Sequence, residues 1–149
     1  MPSCRGLKWA TAQVAFPVKG HLYEMRSGRY LGFGAKCALK VKSGDPALLA
    51  ILKDKVRDVG ITLPAAWKRG ESRQVAVSVE GGSGDHVLRF EIRRPDGLLP
   101  LNYAWNAYVP AKGSTFDFQF ALNDLPGKWE LEVRDIDSGV TRTAVIELQ

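Results

Sequence analysis

The stretch Thr115-Phe-Asp-Phe-Gln-Phe-Ala-Leu122 decides the fold, because apolar and polar residues alternate along it. A turn-forming Asn123-Asp-Leu-Pro-Gly127 follows, and the alternation resumes in Lys128-Trp-Glu-Leu-Glu-Val-Arg134. A period of two gives a strand one buried face and one wet face, so the two stretches predict neighbouring strands of an antiparallel β-sandwich or barrel. The side chains that we expect to point inward are Phe116, Phe118, Phe120, Leu122, Trp129, Leu131 and Val133.

Turn-forming residues also separate the other alternating stretches in the second half of the chain. Seven strands within about 93 residues, separated by Gly- and Pro-rich turns, predict an immunoglobulin-like sandwich. The chain is therefore expected to be all-β. The predicted strands are Val59–Leu63, Arg73–Val79, His86–Arg93, Leu99–Val109, Thr115–Leu122, Lys128–Arg134 and Thr141–Leu148.

The distribution of charge divides the chain in two. Residues 1–57 hold eleven Lys and Arg against three Asp and Glu, whereas residues 58–149 hold ten against thirteen. This change of sign predicts two units of different character. We expect residues 57–149 to form the sandwich and residues 1–56 to form an additional N-terminal β-unit, either an incomplete sandwich or the remnant of a preceding domain. Within that unit Ala47–Lys55 fits a helix or a strand, and we favour a strand.

Length and composition narrow the class of protein. The 149 residues, of which 45% are hydrophobic and 25% charged, suit a globular chain with one domain of ordinary size. No apolar run approaches the length of a membrane span. The first nine residues lack the apolar core of a signal peptide, so we expect either a cytosolic protein or a segment of a longer exported chain. We expect Cys4 and Cys37 to be two thiols rather than a disulfide. The sequence contains no cluster of Cys and His residues, so it predicts no zinc site.

With the strands assigned, the second half resembles the immunoglobulin-like or fibronectin-like modules at the C-terminal ends of large bacterial multidomain proteins. The matching features are Asp85-His-Val-Leu-Arg-Phe-Glu-Ile92, the hairpin Arg94-Pro-Asp-Gly97 and the run from Phe120 to Leu131. More loosely, Leu22–Gly32 is similar to closing strands of a sandwich found after glycoside-hydrolase-like catalytic domains. The resemblance implies a non-catalytic accessory module whose partners are neighbouring domains, with no cofactor and no catalytic residue carried over.

The segment Asn102-Tyr-Ala-Trp-Asn-Ala-Tyr108 is the best candidate for ligand binding. Aromatic rings with amide neighbours can stack on sugars and bond their hydroxyl groups, so a carbohydrate-binding module is an alternative function. Packing inside the sandwich is the competing role for Trp105. The candidate binding residues are Asn102, Tyr103, Trp105, Asn106 and Tyr108.

Other polar residues suggest less. We expect the pairs Glu130/Glu132 and Asp135/Asp137 to be solvated, with calcium binding at the second pair as a weaker hypothesis. Neither His21 nor His86 accompanies a nucleophile motif, so we expect no catalytic residue and no metal site. A second alternative function is nucleic-acid binding by the basic first segment, although its lysines alternate with apolar residues, as solvent-facing strand positions do. These lysines are Lys36, Lys40 and Lys42.

Overall fold

The computed structural model describes residues 9–64 and 66–149, and these contain ten β-strands. The predicted class is confirmed: the chain is all-β, with a seven-strand antiparallel sandwich and an additional N-terminal β-unit. The strands are β1 Trp9–Glu24, β2 Arg29–Lys42, β3 Leu49–Leu52, β4 Asp58–Thr62, β5 Ser72–Glu80, β6 His86–Arg93, β7 Ala104–Val109, β8 Ser114–Gln119, β9 Gly127–Asp135 and β10 Thr141–Leu148.

The sandwich consists of a four-stranded sheet, in the order β10-β9-β6-β7, and a three-stranded sheet, in the order β4-β5-β8. Alternate residues of both sheets point into one core: every second residue along β6 and β9 of the four-stranded sheet is buried, as are Val75 and Val77 of β5 in the other sheet. Trp67, in the loop before β5, lies beside the outer edge of β10, where its amide donates to Glu147 O at 3.0 Å. The loop thus protects that edge from pairing with another strand.

Aromatic side chains fill the core, and most of the inward residues are as expected. Phe120, Trp129, Leu131 and Val133 are fully buried, while Phe116 and Phe118 are half-buried and pack against them. The prediction for Leu122 is wrong, because this side chain is 77% exposed. β8 ends at Gln119, and the chain has turned outward by residue 122.

One further element boundary differs from the sequence prediction. The expected strand Leu99–Val109 begins only at Ala104, since Leu101–Tyr103 forms a short 3-10 helix after Pro100. Proline fixes its own φ and has no amide hydrogen to donate to a strand ladder. Pro100 therefore disfavours a strand at this position and allows the short helix to begin after it. The strand favoured within Ala47–Lys55 is confirmed as β3.

The N-terminal β-unit is a three-stranded sheet in the order β2-β1-β3. The register between β1 and β2 shifts between Ala15 and Gly20, so the long hairpin has two parts. Trp9–Ala15 and Lys36–Lys42 form the distal ribbon, which has one largely exposed face and one largely half-buried face, where Leu39 is 3% exposed. Cys37 lies in this ribbon and is half-buried, and Cys4 lies outside the described residues.

The other part of the hairpin packs on the sandwich. Leu22 and Tyr23 are each 2% exposed. The turn between β1 and β2 touches the turn between β9 and β10, and Arg134 Nη2 donates to Met25 O at 2.9 Å across this contact. Residue 56, the predicted boundary, lies in the connection between β3 and β4, and the Val56 side chain is buried.

Candidate functional site

The two central aromatic residues of the predicted binding segment belong to the core. Trp105 stacks on Phe90, with ring centroids 4.8 Å apart, and on Phe118 at 5.7 Å. Tyr103 is buried among other aromatic rings, and its hydroxyl contacts Asp124 and accepts the Ala121 amide at 3.2 Å. Burial, followed by the bond to Asp124, raises the pKa of Tyr103. Both rings therefore take part in packing, which is the competing role that the sequence suggested for Trp105.

The other three predicted binding residues are exposed. Asn102 lies in the 3-10 helix, while Asn106 and Tyr108 share the outer face of β7. The Tyr108 side chain is 61% exposed, and a hydrogen bond to Asp85 raises its pKa. The carbohydrate-binding hypothesis thus depends on a single ring with two amides nearby.

Asn106 also lines a cleft of about 470 Å³ between the hairpin turn and the outer face of the four-stranded sheet. We call this the junction cleft. Its lining residues are Met25, Arg26, Arg89, Asn106, Arg134 and Ile136. Of these residues, only Asn106 belongs to the predicted binding segment. The three arginines carry no local sequence signal, because their proximity depends on the register of β6 with β9 and on where the hairpin docks.

A buried polar network lies beneath the turn between β9 and β10. His86 Nδ1 is 2.9 Å from Asp135 Oδ1, and Asp135 Oδ2 accepts the Ser138 amide at 3.0 Å as well as the Ser138 hydroxyl. All three residues are at most 3% exposed. The expectation that Asp135 is solvated is therefore wrong. Asp135 continues the inward series of β9, and its partners satisfy the buried carboxylate.

This network differs from a Ser-His-Asp triad in one decisive respect. In a triad the serine hydroxyl bonds the histidine nitrogen that faces away from the aspartate, so that the histidine can remove its proton. Here the Ser138 hydroxyl bonds the aspartate itself, and His86 Nε2 has no hydrogen-bond partner among the described residues. The arrangement holds a turn together and does not activate a nucleophile.

Asp137, the second acid of the predicted calcium pair, lies close to this network. Burial, followed by the negative charge of Asp135, raises the pKa of Asp137. His86, Asp135 and Asp137 offer potential ligand atoms within 4.8 Å of one another. The group that accompanies the two aspartates is a histidine, whereas calcium prefers oxygen ligands. Both carboxylate oxygens of Asp135 also have hydrogen-bond partners already. The absence of a metal site stays a prediction.

The distal ribbon has one basic and strongly exposed face. Lys36, Lys40 and Lys42 lie opposite Ala15, Thr11 and Trp9 in the register, so all six side chains share this face. The ribbon contains no Asp or Glu. None of the three lysines forms an ion pair with a carboxylate in the described parts of the chain. Trp9 is 68% exposed at its open end.

In comparisons with known proteins, no protein-family model matches the sequence, and no curated protein matches it. No helix formed by residues 9–64 or 66–149 is long and apolar enough to cross a bilayer.

Proposed function

We propose that this chain is a non-catalytic accessory module, with an immunoglobulin-like sandwich, that works by domain packing or surface recognition in a larger or exported bacterial protein. In this proposal the sandwich is the scaffold and the distal ribbon contacts the partner. The observation that carries it is the exposed face of the ribbon, whose residues take no part in the hydrophobic core of the sandwich.

Backbone groups of the ribbon support this role. β2 lies at the edge of its sheet and is 14 residues long. An edge strand of this length presents a row of amide and carbonyl groups to which a strand of a neighbouring domain can add. The three lysines oppose uncontrolled pairing with copies of the same chain, since they would bring like charges together.

Exposed apolar side chains of the N-terminal β-unit support it as well. Trp9, Val18 and Phe33 are 68%, 55% and 63% exposed. Large apolar side chains in one small unit are costly to leave in water, and buried aromatic anchors dominate the energetics of most interfaces. A partner that covers the ribbon would remove Trp9 from solvent, and one that also reaches the neighbouring part of the hairpin would cover Val18 and Phe33.

Hydrogen exchange tests the proposal in the longest natural polypeptide or complex that contains this chain. Relative to the isolated chain, we expect amides of Lys36–Lys42 to exchange at least about tenfold more slowly, because a partner covers them. Amides of β6 and β9 are the internal control and should not change. Equal exchange of the ribbon in both contexts would contradict the proposal, as would turnover of glycosides by the isolated chain.

Nucleic-acid binding is the second candidate, and the basic face of the distal ribbon favours it. Proteins that bind single strands usually stack several bases on a row of aromatic rings. The basic face of the ribbon offers one exposed ring, that of Trp9. Binding of a single-stranded oligonucleotide that weakens steeply with salt and is lost when Lys36, Lys40 and Lys42 become Gln would favour this candidate over domain packing.

A further inference from the structure

We propose that the junction cleft binds a small oxyanionic ligand, either a carboxylate or a phosphate, between the N-terminal β-unit and the sandwich. The site is separate from the distal ribbon. It rests on three arginine residues that line the cleft, and on two of them lying directly opposite each other in the sheet.

The register of the four-stranded sheet brings two of the arginines together. Arg89 of β6 lies directly opposite Arg134 of β9, and the next outward-facing pair is Glu91 opposite Glu132. Like charges at directly opposed positions destabilise an antiparallel pair. Exchanging the residues at 132 and 134 would pair opposite charges at both places. The sequence instead concentrates positive charge at the end of the sheet that faces the hairpin turn.

The hairpin turn supplies the third arginine. Arg26 is held by Asp45, whose Oδ1 accepts from Nη1 at 2.5 Å, and by Pro46 O at 3.0 Å. Arg134 is oriented by its bond to Met25 O. Both side chains are therefore positioned before any ligand binds, which lowers the entropic cost of binding.

Neighbouring carboxylates neutralise this charge only in part. Asp45 pairs with Arg26, and Glu91 Oε1 lies 3.4 Å from Arg89 Nε, which is a long contact. Arg134 forms no ion pair with any described carboxylate. Each guanidinium has five N–H donors in a planar fork, so donors remain available for the oxygens of an anion.

The other residues that line the cleft indicate the chemical character of the ligand. Met25 and Ile136 are apolar, and the Asn106 amide receives a weak hydrogen bond from Arg89 at 3.4 Å. A volume of about 470 Å³ is large enough for a group of the size of a sugar or a small acid. An oxyanion on a compact, partly apolar body fits this combination.

Titration of the ¹⁵N-labelled full chain with inorganic phosphate and with glucuronate, at constant ionic strength, tests the proposal. We expect saturable shifts of the Nε–Hε signals of Arg89 and Arg134, with Kd below about 5 mM for at least one probe. Stronger binding of phosphate would assign a phosphate ligand, and stronger binding of glucuronate a carboxylate. Shifts that fail to saturate with both probes would overturn the proposal.

Three variants distinguish a site from general attraction. Arg89→Gln should weaken binding at least about tenfold, because it removes a charged donor. Glu91→Gln should strengthen it about two- to fivefold, because it frees Arg89 from a competing carboxylate. Arg73→Gln, on the other sheet, removes an equal charge and should change the Kd less than about twofold. Equal weakening by Arg73→Gln and Arg89→Gln, or weaker binding in Glu91→Gln, would contradict the proposal.

Discussion

At the residue scale, Asp135 shows how a carboxylate is tolerated inside the sandwich. It occupies the position two residues beyond Val133, so the alternation of β9 directs it inward. Its hydrogen bonds with Ser138 and its contact with His86 replace the water that it loses. The alternation is readable in the sequence, but the partners that make burial acceptable come from a turn and from another strand.

Asp137, in the same turn, is a carboxyl group whose charged form is disfavoured by its surroundings. Its pKa is raised by burial and then by the charge of Asp135, while His86 lowers it in part. A carboxyl group with a higher pKa in the folded chain than in the unfolded chain favours folding at low pH. That contribution is lost as the pH rises through the folded-state pKa.

We therefore expect Asp137→Asn to become more stable relative to the wild type as the pH rises from about 3 to about 7, with little difference at the acidic end, where the carboxyl is protonated in both states. Thermal unfolding at a series of pH values, with a chelator present, measures this difference. Glu130→Gln, on the exposed face of β9, is the control and should show a smaller trend. A variant less stable than the wild type at pH 7 would argue against the explanation.

At the element scale, β7 joins the two sheets through one aromatic ring. Trp105 lies parallel to Phe90 of its own sheet and to Phe118 of the other, at interplanar angles of 6° and 8°. The strand that the sequence suggested as a binding surface therefore has its larger role in packing. Only its polar alternate face is available for ligands.

Trp105→Ala should destabilise the chain by about 2–4 kcal/mol, since the ring is half-buried and stacked on both sides. Tyr108→Ala, on the opposite face of the same strand, should cost less than about 0.5 kcal/mol. Urea denaturation of both variants measures the contrast. If Trp105→Ala leaves the stability unchanged, the ring is not a core residue, and the carbohydrate-binding hypothesis regains its strongest candidate.

The end of β8 is a feature that the local sequence does not predict. The alternation from Thr115 to Leu122 gives no sign of a stop, yet β8 ends at Gln119. The Ala121 amide is taken by the Asp124 carboxylate at 2.7 Å and by the Tyr103 hydroxyl at 3.2 Å. Such bonds compete with a strand ladder. One of these partners is distant in sequence, so no local pattern contains it.

At the scale of the whole molecule, the two units meet where two turns approach very closely. A Cβ atom added to Gly139 would lie 2.2 Å from the Cα of Gly28, so neither turn can carry a side chain there without separating from the other. Both glycines also have positive φ, of 66° for Gly28 and 75° for Gly139. This contact sets how the hairpin sits on the sandwich and hence shapes the junction cleft.

Gly139→Ala should destabilise the chain by about 2–4 kcal/mol, because it adds a backbone clash to the strain of a left-handed conformation. Gly44→Ala is a matched control: Gly44 has a φ of 80° but open space around it, so about 1 kcal/mol is expected. Urea denaturation gives both values. Hydrogen exchange should also show faster opening of the Leu22 and Tyr23 amides in Gly139→Ala, and equal effects of the two variants would contradict the role of the contact.

The sequence by itself determined the all-β class, the seven strands of the sandwich and most of the inward side chains, because a period of two and turn-forming residues are local properties. It also indicated a change of character near residue 56. Only the tertiary structure decided which polar residues meet. Arg26, Arg89 and Arg134 are far apart along the chain, and their proximity depends on strand register and on the docking of the hairpin. For the same reason the alternating stretch 115–122 specified a strand and its buried face, but not where that strand stops.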